Sequence, residues 1–265
     1  MTAVRTAFDT ARAEGRSALI GYLPAGFPDV DGAIDAVKAM IDNGVDIVEV
    51  GLPYSDPVMD GPVIQQATEH ALAAGFRVKD GLRTIEAVAA TGTPILTMTY
   101  WNLVERYGVG RFAADLANAG GAGLITPDLI PEEAQPWLDA SDEHDLDRVF
   151  LVSPSSTDAR IALTAAKCRG FVYATSVMGV TGARSHTSSA APALVERIRK
   201  TSGEPVAVGL GVSNGEQAAE VGAFADGVIV GSALVRCLAG AATRAEGIAA
   251  VAALSADLSR GVRNR

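Results

Sequence analysis

The sequence is poor in the residues on which most metal and covalent chemistry depends. It has two cysteines, Cys168 and Cys237, three histidines, His70, His144 and His186, and four lysines, Lys38, Lys79, Lys167 and Lys200. The cysteines stand outside any C-x-x-C spacing, so no disulfide framework is implied and a reducing cytoplasm is expected. All four lysines read as helical, whereas Schiff-base chemistry needs a lysine at the end of a strand. His70 falls in a helical segment, His144 before the fifth strand and His186 in the loop after the sixth. They do not converge, and no metal site is expected. No run of about 18 apolar residues appears, and the first residues, MTAVRTAFDTARAEG, lack an apolar signal core. Neither a membrane span nor a signal peptide is expected. There is no Lys/Arg cluster, and the net charge is −9, which disfavours nucleic acid and anionic membranes as partners. A small anionic substrate is still compatible, because a site can be locally positive.

What the sequence has in quantity is apolar strand. Of its 265 residues, 48% are hydrophobic, enough for a sizeable core. Eight short, β-branched runs recur: SALIGYL (17–23), DIVEVGL (46–52), PILTMTY (94–100), AGLIT (122–126), RVFLVS (148–153), GFVYATS (170–176), PVAVGLG (205–211) and DGVIVGS (226–232). They are nearly continuous rather than alternating, as strands covered on both faces are. Amphipathic helical segments lie between them, including 29–44 with Gly44 as a stop, 79–91, 109–120, 131–141 and 213–222, the last with Ser213 as a cap. Eight βα units in this length predict an α/β fold, a (β/α)8 TIM barrel forming one domain over 1–265. An extra N-terminal helix, 2–13, is expected to cover the barrel bottom, and 243–262 reads as a closing helix.

In such a barrel, chemistry gathers at the C-terminal ends of the strands. Glu49 sits there on the second strand, with the parity of Ile47 and Gly51. Pointing into the barrel mouth, it would be a desolvated acid with a raised pKa, suited to proton transfer near neutrality. Pointing outward, it would form an ion pair with a covering helix. Asp60 precedes Gly61-Pro62, so it is either a helix cap or a second functional carboxylate. Asp56, in Ser55-Asp56-Pro57, reads as a turn residue. Glycine turns follow the last three strands: GVTGAR (179–184), GLGVSN (209–214) and GSALV (231–235). Glycine lets main-chain N–H groups approach an anion, and the last two loops of this fold commonly grip phosphate.

The string VEVGLPYSDPVMDGPVIQ, with GYLPAGFPD (21–29), MTYWN (98–102), TPDLIPEE (126–133), GVTGAR (179–184), GLGVS (209–213) and VGSALV (230–235), closely resembles the tryptophan synthase alpha subunit family. The resemblance spans essentially the whole chain. It implies retro-aldol cleavage of indole-3-glycerol phosphate to indole and glyceraldehyde 3-phosphate. Carried over by position, Glu49 resembles the acid/base and Asp60 the group that meets the indole N–H. Gly182, Gly211, Gly231 and Ser232 resemble the phosphate-binding positions. Tyr22, Ile64, Met98, Tyr100, Ile125, Pro127, Tyr173 and Leu210 resemble the indole pocket, and Thr181 the lid residue that closes towards Asp60. Loops 53–60 and 179–189 resemble the segments that order on substrate binding. The first, with Pro53 and Asp56, also faces a partner. That partner is a beta subunit carrying pyridoxal phosphate, in an αββα assembly through which indole passes to make L-tryptophan. No cofactor is expected in this chain. Tyr22 and Tyr54 stand where phenylalanine is common in the family, and Met59 and Pro127 where smaller residues are. Arg184 and His186 lie near the expected phosphate loop. A stand-alone indole-releasing lyase and a catalytically silent phosphate-binding regulatory barrel share the same outline.

Overall fold

A computed structural model describes residues 1–175, 190–209 and 211–264. Among these, nine parallel strand segments form one sheet: β1 (Ala18–Pro24), β2 (Ile47–Gly51), β3 (Ile95–Met98), β4 (Gly123–Ile125), β5 (Asp147–Val149), β6 (Leu151–Val152), β7 (Val172–Thr175), β8 (Val206–Gly209) and β9 (Gly227–Val230). Their spatial order is β5-β4-β3-β2-β1-β9-β8-β7-β6. The two ends of that order, β5 and β6, are pieces of the one run expected at 148–153, separated by Phe150 alone. β5 pairs with β4 and β6 with β7, so the strand hands over from one neighbour to the other at Phe150. Strands in a barrel are staggered, and a short strand therefore meets its two neighbours over different halves. Counted through this handover, the sheet is a closed eight-stranded TIM barrel.

The apolar residues divide into two layers. Ala18, Ile20, Ile47, Leu96, Ile125, Val149, Phe171, Ala207 and Ile229 pack inside the barrel. Val48, Val50, Ile95, Leu124, Val206 and Val228 pack outward against the helices. Strand side chains alternate between the two faces, which is why both faces read as apolar in the sequence.

The surrounding helices are α2 (Val30–Asp42), α3 (Pro62–Ala73), α4 (Val78–Ala89), α5 (Trp101–Tyr107), α6 (Val109–Asn118), α7 (Gln135–Glu143), α8 (Asp158–Ala165), α9 (Ala190–Arg199), α10 (Gly215–Gly222), α11 (Ser232–Ala239) and α12 (Arg244–Gly261). α2 ends as expected, with Gly44 at φ +94 just beyond its cap. The expected extra N-terminal helix is α1 (Ala3–Ala13), capped by the Thr2 hydroxyl, which accepts from the Arg5 N–H. Its Val4, Phe8 and Ala11 join the inner layer, and the Phe8 and Phe171 rings lie 5.5 Å apart. α1 thus plugs the N-terminal end, and Phe8 alone is worth roughly 2 kcal/mol of burial. The open end is the C-terminal one. α12 starts with a capping box between Thr243 and Glu246 and packs on α2, α10 and α11. Among the described residues no helix is long and apolar enough to cross a membrane.

Candidate active site

Glu49 shares the inward parity of Ile47 and lies in the barrel mouth, 1% exposed. Its register partners are Tyr22 on β1 and Leu96 on β3. Among the described residues Glu49 makes no ion pair, and its Oε1 has no hydrogen-bond partner. Burial, with nothing to offset it, pushes the carboxyl up to about 8. The outward, ion-paired alternative is therefore excluded: Glu49 lies buried in the barrel mouth, with its pKa raised into the range of proton transfer near neutrality. The phenols of Tyr22 and Tyr173 are pushed well up by burial, and both also feel the Glu49 charge. Tyr22 feels Asp60 as well, which puts the two carboxyl groups around one ring.

Asp60 is not a helix cap. Gly61 is the cap residue of α3 and Pro62 its first residue. The Asp60 carboxylate, nearly buried, instead accepts a hydrogen bond from the Tyr100 hydroxyl at 3.0 Å. The same hydroxyl accepts from the Met59 N–H at 3.0 Å. Burial raises the Asp60 pKa, and the Tyr100 bond works against that rise.

Two glycines admit the tyrosines. A Cβ at Gly51 would overlap the Tyr22 hydroxyl, and one at Gly209 would come within 2.6 Å of the Tyr173 hydroxyl. Both are positions where an apolar strand ends in glycine because a ring lies over the backbone. Ile64 on α3 is buried, as are Ile125 on β4 and the Tyr100 ring, while Met98 and Pro127 are half-buried. Gly51, Met98 and Ile125 lie at paired positions of β2, β3 and β4, so these side chains surround one mouth.

β9 is the other neighbour of β1, so the β9–α11 turn is one strand removed from Glu49. Gly231 is the cap residue of α11, which no side chain caps, and Ser232 is its first residue, nearly buried. Gly211, after β8, has φ +71, a left-handed conformation that favours glycine. The next helix start is closed from within. Asn214 caps α10 by accepting from the Gln217 N–H at 2.9 Å. The expected cap, Ser213, engages the Gln217 side chain instead, because Asn214 is the residue with the extended backbone that reaches the first turn. A helix start that no side chain caps, such as that of α11, leaves main-chain N–H groups free to meet an anion.

Thr181, Gly182, Arg184, His186 and Leu210 lie outside the described residues. Of the two expected partner-facing residues, Asp56 is exposed and hydrogen-bonded to Ser55, whereas Pro53 is buried. Two of the four lysines are not in helices: Lys167 and Lys200 lie in the turns just after α8 and α9, at the barrel bottom. Among the described residues no group of three or more His, Cys, Asp or Glu is arranged to hold a metal. The contacts of two residues escaped the sequence. The Asp128 carboxylate accepts from the Trp101 N–H, and Tyr54 stacks on Tyr100 while its hydroxyl accepts from Asn102. Both bridge loops distant in sequence, and no local pattern announces them.

The arrangement can deliver a proton from a buried neutral acid, accept a hydrogen bond at the rim through Asp60, and hold an anion beside β9. Comparison with known proteins agrees with this outline. Residues 8–262 match the family model for the tryptophan synthase alpha chain. The tryptophan synthase alpha chain of Salinispora arenicola is 64% identical over 263 residues, covering 99% of this chain and 98% of its own. That of Mycobacterium marinum is 59% identical over 258 residues, covering 97% and 94%. A solved structure of Mycobacterium tuberculosis tryptophan synthase superposes with a TM-score of 0.92 at 57% identity, covering 98% of each chain. The alpha subunit from Legionella pneumophila superposes with a TM-score of 0.91 at only 31% identity, over the full length of both chains. On these findings, the chain belongs to the tryptophan synthase alpha chain family.

Proposed function

We propose that this chain, acting as a single barrel domain, cleaves indole-3-glycerol phosphate to indole and glyceraldehyde 3-phosphate. Glu49, protonated at neutral pH, gives its proton to indole C3. The ring becomes an indoleninium-like cation, and the Asp60 carboxylate, at the indole N–H, stabilises that charge as it develops. Glu49, now a carboxylate, takes the proton from the adjacent glycerol hydroxyl. The carbon–carbon bond breaks, its electrons return to the ring, and the aldehyde forms. The acid ends as it began. Gly211, Gly231 and Ser232 seat the phosphate, together with Gly182. Tyr22, Ile64, Met98, Tyr100, Ile125, Pro127, Tyr173 and Leu210 enclose the indole, and Thr181 closes the lid.

The observation that carries this reading is the burial of Glu49 without a partner for Oε1 among the described residues, which gives a carboxyl that holds its proton to about pH 8. The released indole passes to a beta subunit, whose pyridoxal phosphate supplies the chemistry that joins indole to serine. Val58 and Ile130, large apolar residues exposed in the loops after β2 and β4, support docking at this face, beside Asp56. The test is indole release from indole-3-glycerol phosphate by the purified chain, with and without the beta subunit. Slow release that the partner accelerates strongly supports the reading. Fast release by the chain alone indicates a stand-alone lyase, and no release in either case refutes the cleavage assignment.

A further inference from the structure

Asp128 lies in the loop after β4, and its carboxylate ends on the main chain beside Tyr100. The Trp101 N–H, the first of α5, donates to both Asp128 oxygens, at 3.0 and 3.1 Å. Tyr100 is the cap residue of α5, with an extended backbone, and its own side chain does not cap the helix. Its hydroxyl instead donates to Asp60 Oδ1 and accepts from the Met59 N–H, both at 3.0 Å. The Tyr54 ring stacks on the Tyr100 ring with centroids 5.3 Å apart and planes 30° apart. α5 has only seven residues, and so short a helix does not hold itself in place. The start of α5 is therefore set by what grips it, and Asp128 grips it with a charge-assisted bond at the positive end of the helix.

We infer that Asp128 is a positioning residue for the cleavage reaction: by holding the Trp101 N–H it fixes the Tyr100 backbone, and Tyr100 in turn fixes the Asp60 carboxylate. This rests on the reading of Asp60 as the group that meets the indole N–H. The hydroxyl sits at the far end of the Tyr100 ring, so a small rotation at the backbone becomes a larger displacement at Asp60. A cap that merely stabilised α5 would act on the melting temperature and leave the chemical step alone.

The experiment measures kcat and KM for indole-3-glycerol phosphate cleavage by the full chain, for wild type, Asp128→Ala, Asp128→Asn, Tyr100→Phe and the Asp128→Ala/Tyr100→Phe double variant. Asp128→Ala should lower kcat by between about tenfold and a hundredfold with KM nearly unchanged, the scale of loss expected from a group displaced by a fraction of an ångström. Asp128→Asn keeps a neutral acceptor for the Trp101 N–H and should stay within about threefold of wild type. In the Tyr100→Phe background, Asp128→Ala should cost little more, because the link to Asp60 is already cut. An Asp128→Ala variant with normal kcat and only a lower melting temperature would overturn the inference. So would an equal loss of kcat in both backgrounds. If Asp128→Ala does not fold, Asp128→Glu, which shifts the oxygens by one methylene, takes its place in the same cycle. Absence of indole release by the wild type would instead refute the cleavage reading itself.

Discussion

Tyr22 and Glu49 are register partners on β1 and β2, both almost fully buried, and the phenol is one of the groups that senses the Glu49 charge. An ionised Glu49 would therefore sit against an un-ionised ring in an apolar mouth, and the proton stays on the carboxyl instead. This has a thermodynamic signature. The folded chain holds the Glu49 proton up to about pH 8, whereas an ordinary glutamate gives it up near 4.5. Between those values the unfolded chain binds fewer protons, so this group's contribution to stability falls as the pH rises and is flat above about 8. Glu49→Gln has no such proton to lose. Its stability relative to wild type should rise across that window, by an amount on the order of a few kcal/mol. Chemical denaturation of both proteins at pH 5 and pH 8.5 reads the difference, and an equal gap at the two pH values would contradict it. The same variant should have lost indole release while keeping its fold.

Asp60→Asn separates chemistry from capping. Since α3 is not capped by Asp60, the substitution should leave the melting temperature close to that of wild type. It should cost a factor on the order of 10² or more in kcat, through lost stabilisation of developing charge. Steady-state kinetics and a thermal melt on the same preparation decide it. A near-normal rate would deny Asp60 its place at the indole N–H.

The eight apolar runs, their helical spacers and the position of Glu49 were legible in the sequence because each depends on local periodicity. Where sequence and structure part, the deciding contact is long-range. The run at 148–153 is broken at Phe150 because its two halves pair with different neighbours. Asp60 could not be told from a cap, because its partner, Tyr100, lies 40 residues away. Ser213 and Asn214 offer equivalent capping side chains, and only the backbone geometry selects Asn214. The placement of Tyr22 over Gly51 and of Asp128 beneath Trp101 required the barrel to be closed first.

Gly51 should tolerate no side chain while Tyr22 keeps its place. Gly51→Ala forces a Cβ into the Tyr22 ring and hydroxyl, and overpacking of this kind costs roughly 1–3 kcal/mol. Because the hydroxyl is the closest of the overlapped atoms, Tyr22→Phe in the Gly51→Ala background should recover part of the lost stability. Denaturation of the two single variants and the double variant measures the coupling. Strict additivity would mean that the Tyr22 ring does not lie over Gly51.

Ser232→Asp tests the phosphate seat by placing a carboxylate in the first turn of α11. The same charge would repel the phosphate, and KM for indole-3-glycerol phosphate should increase by roughly tenfold or more, equivalent to about 1.4 kcal/mol. An unchanged KM would move the phosphate seat away from α11.

The most direct test is to titrate the Glu49 carboxyl itself. Carboxyl carbon NMR on protein labelled at glutamate, with Glu49→Gln to identify the resonance, should show it protonated at neutral pH and titrating at about 8. Titration near the ordinary value of 4.5 would contradict the proposal that a buried, neutral Glu49 is the proton donor.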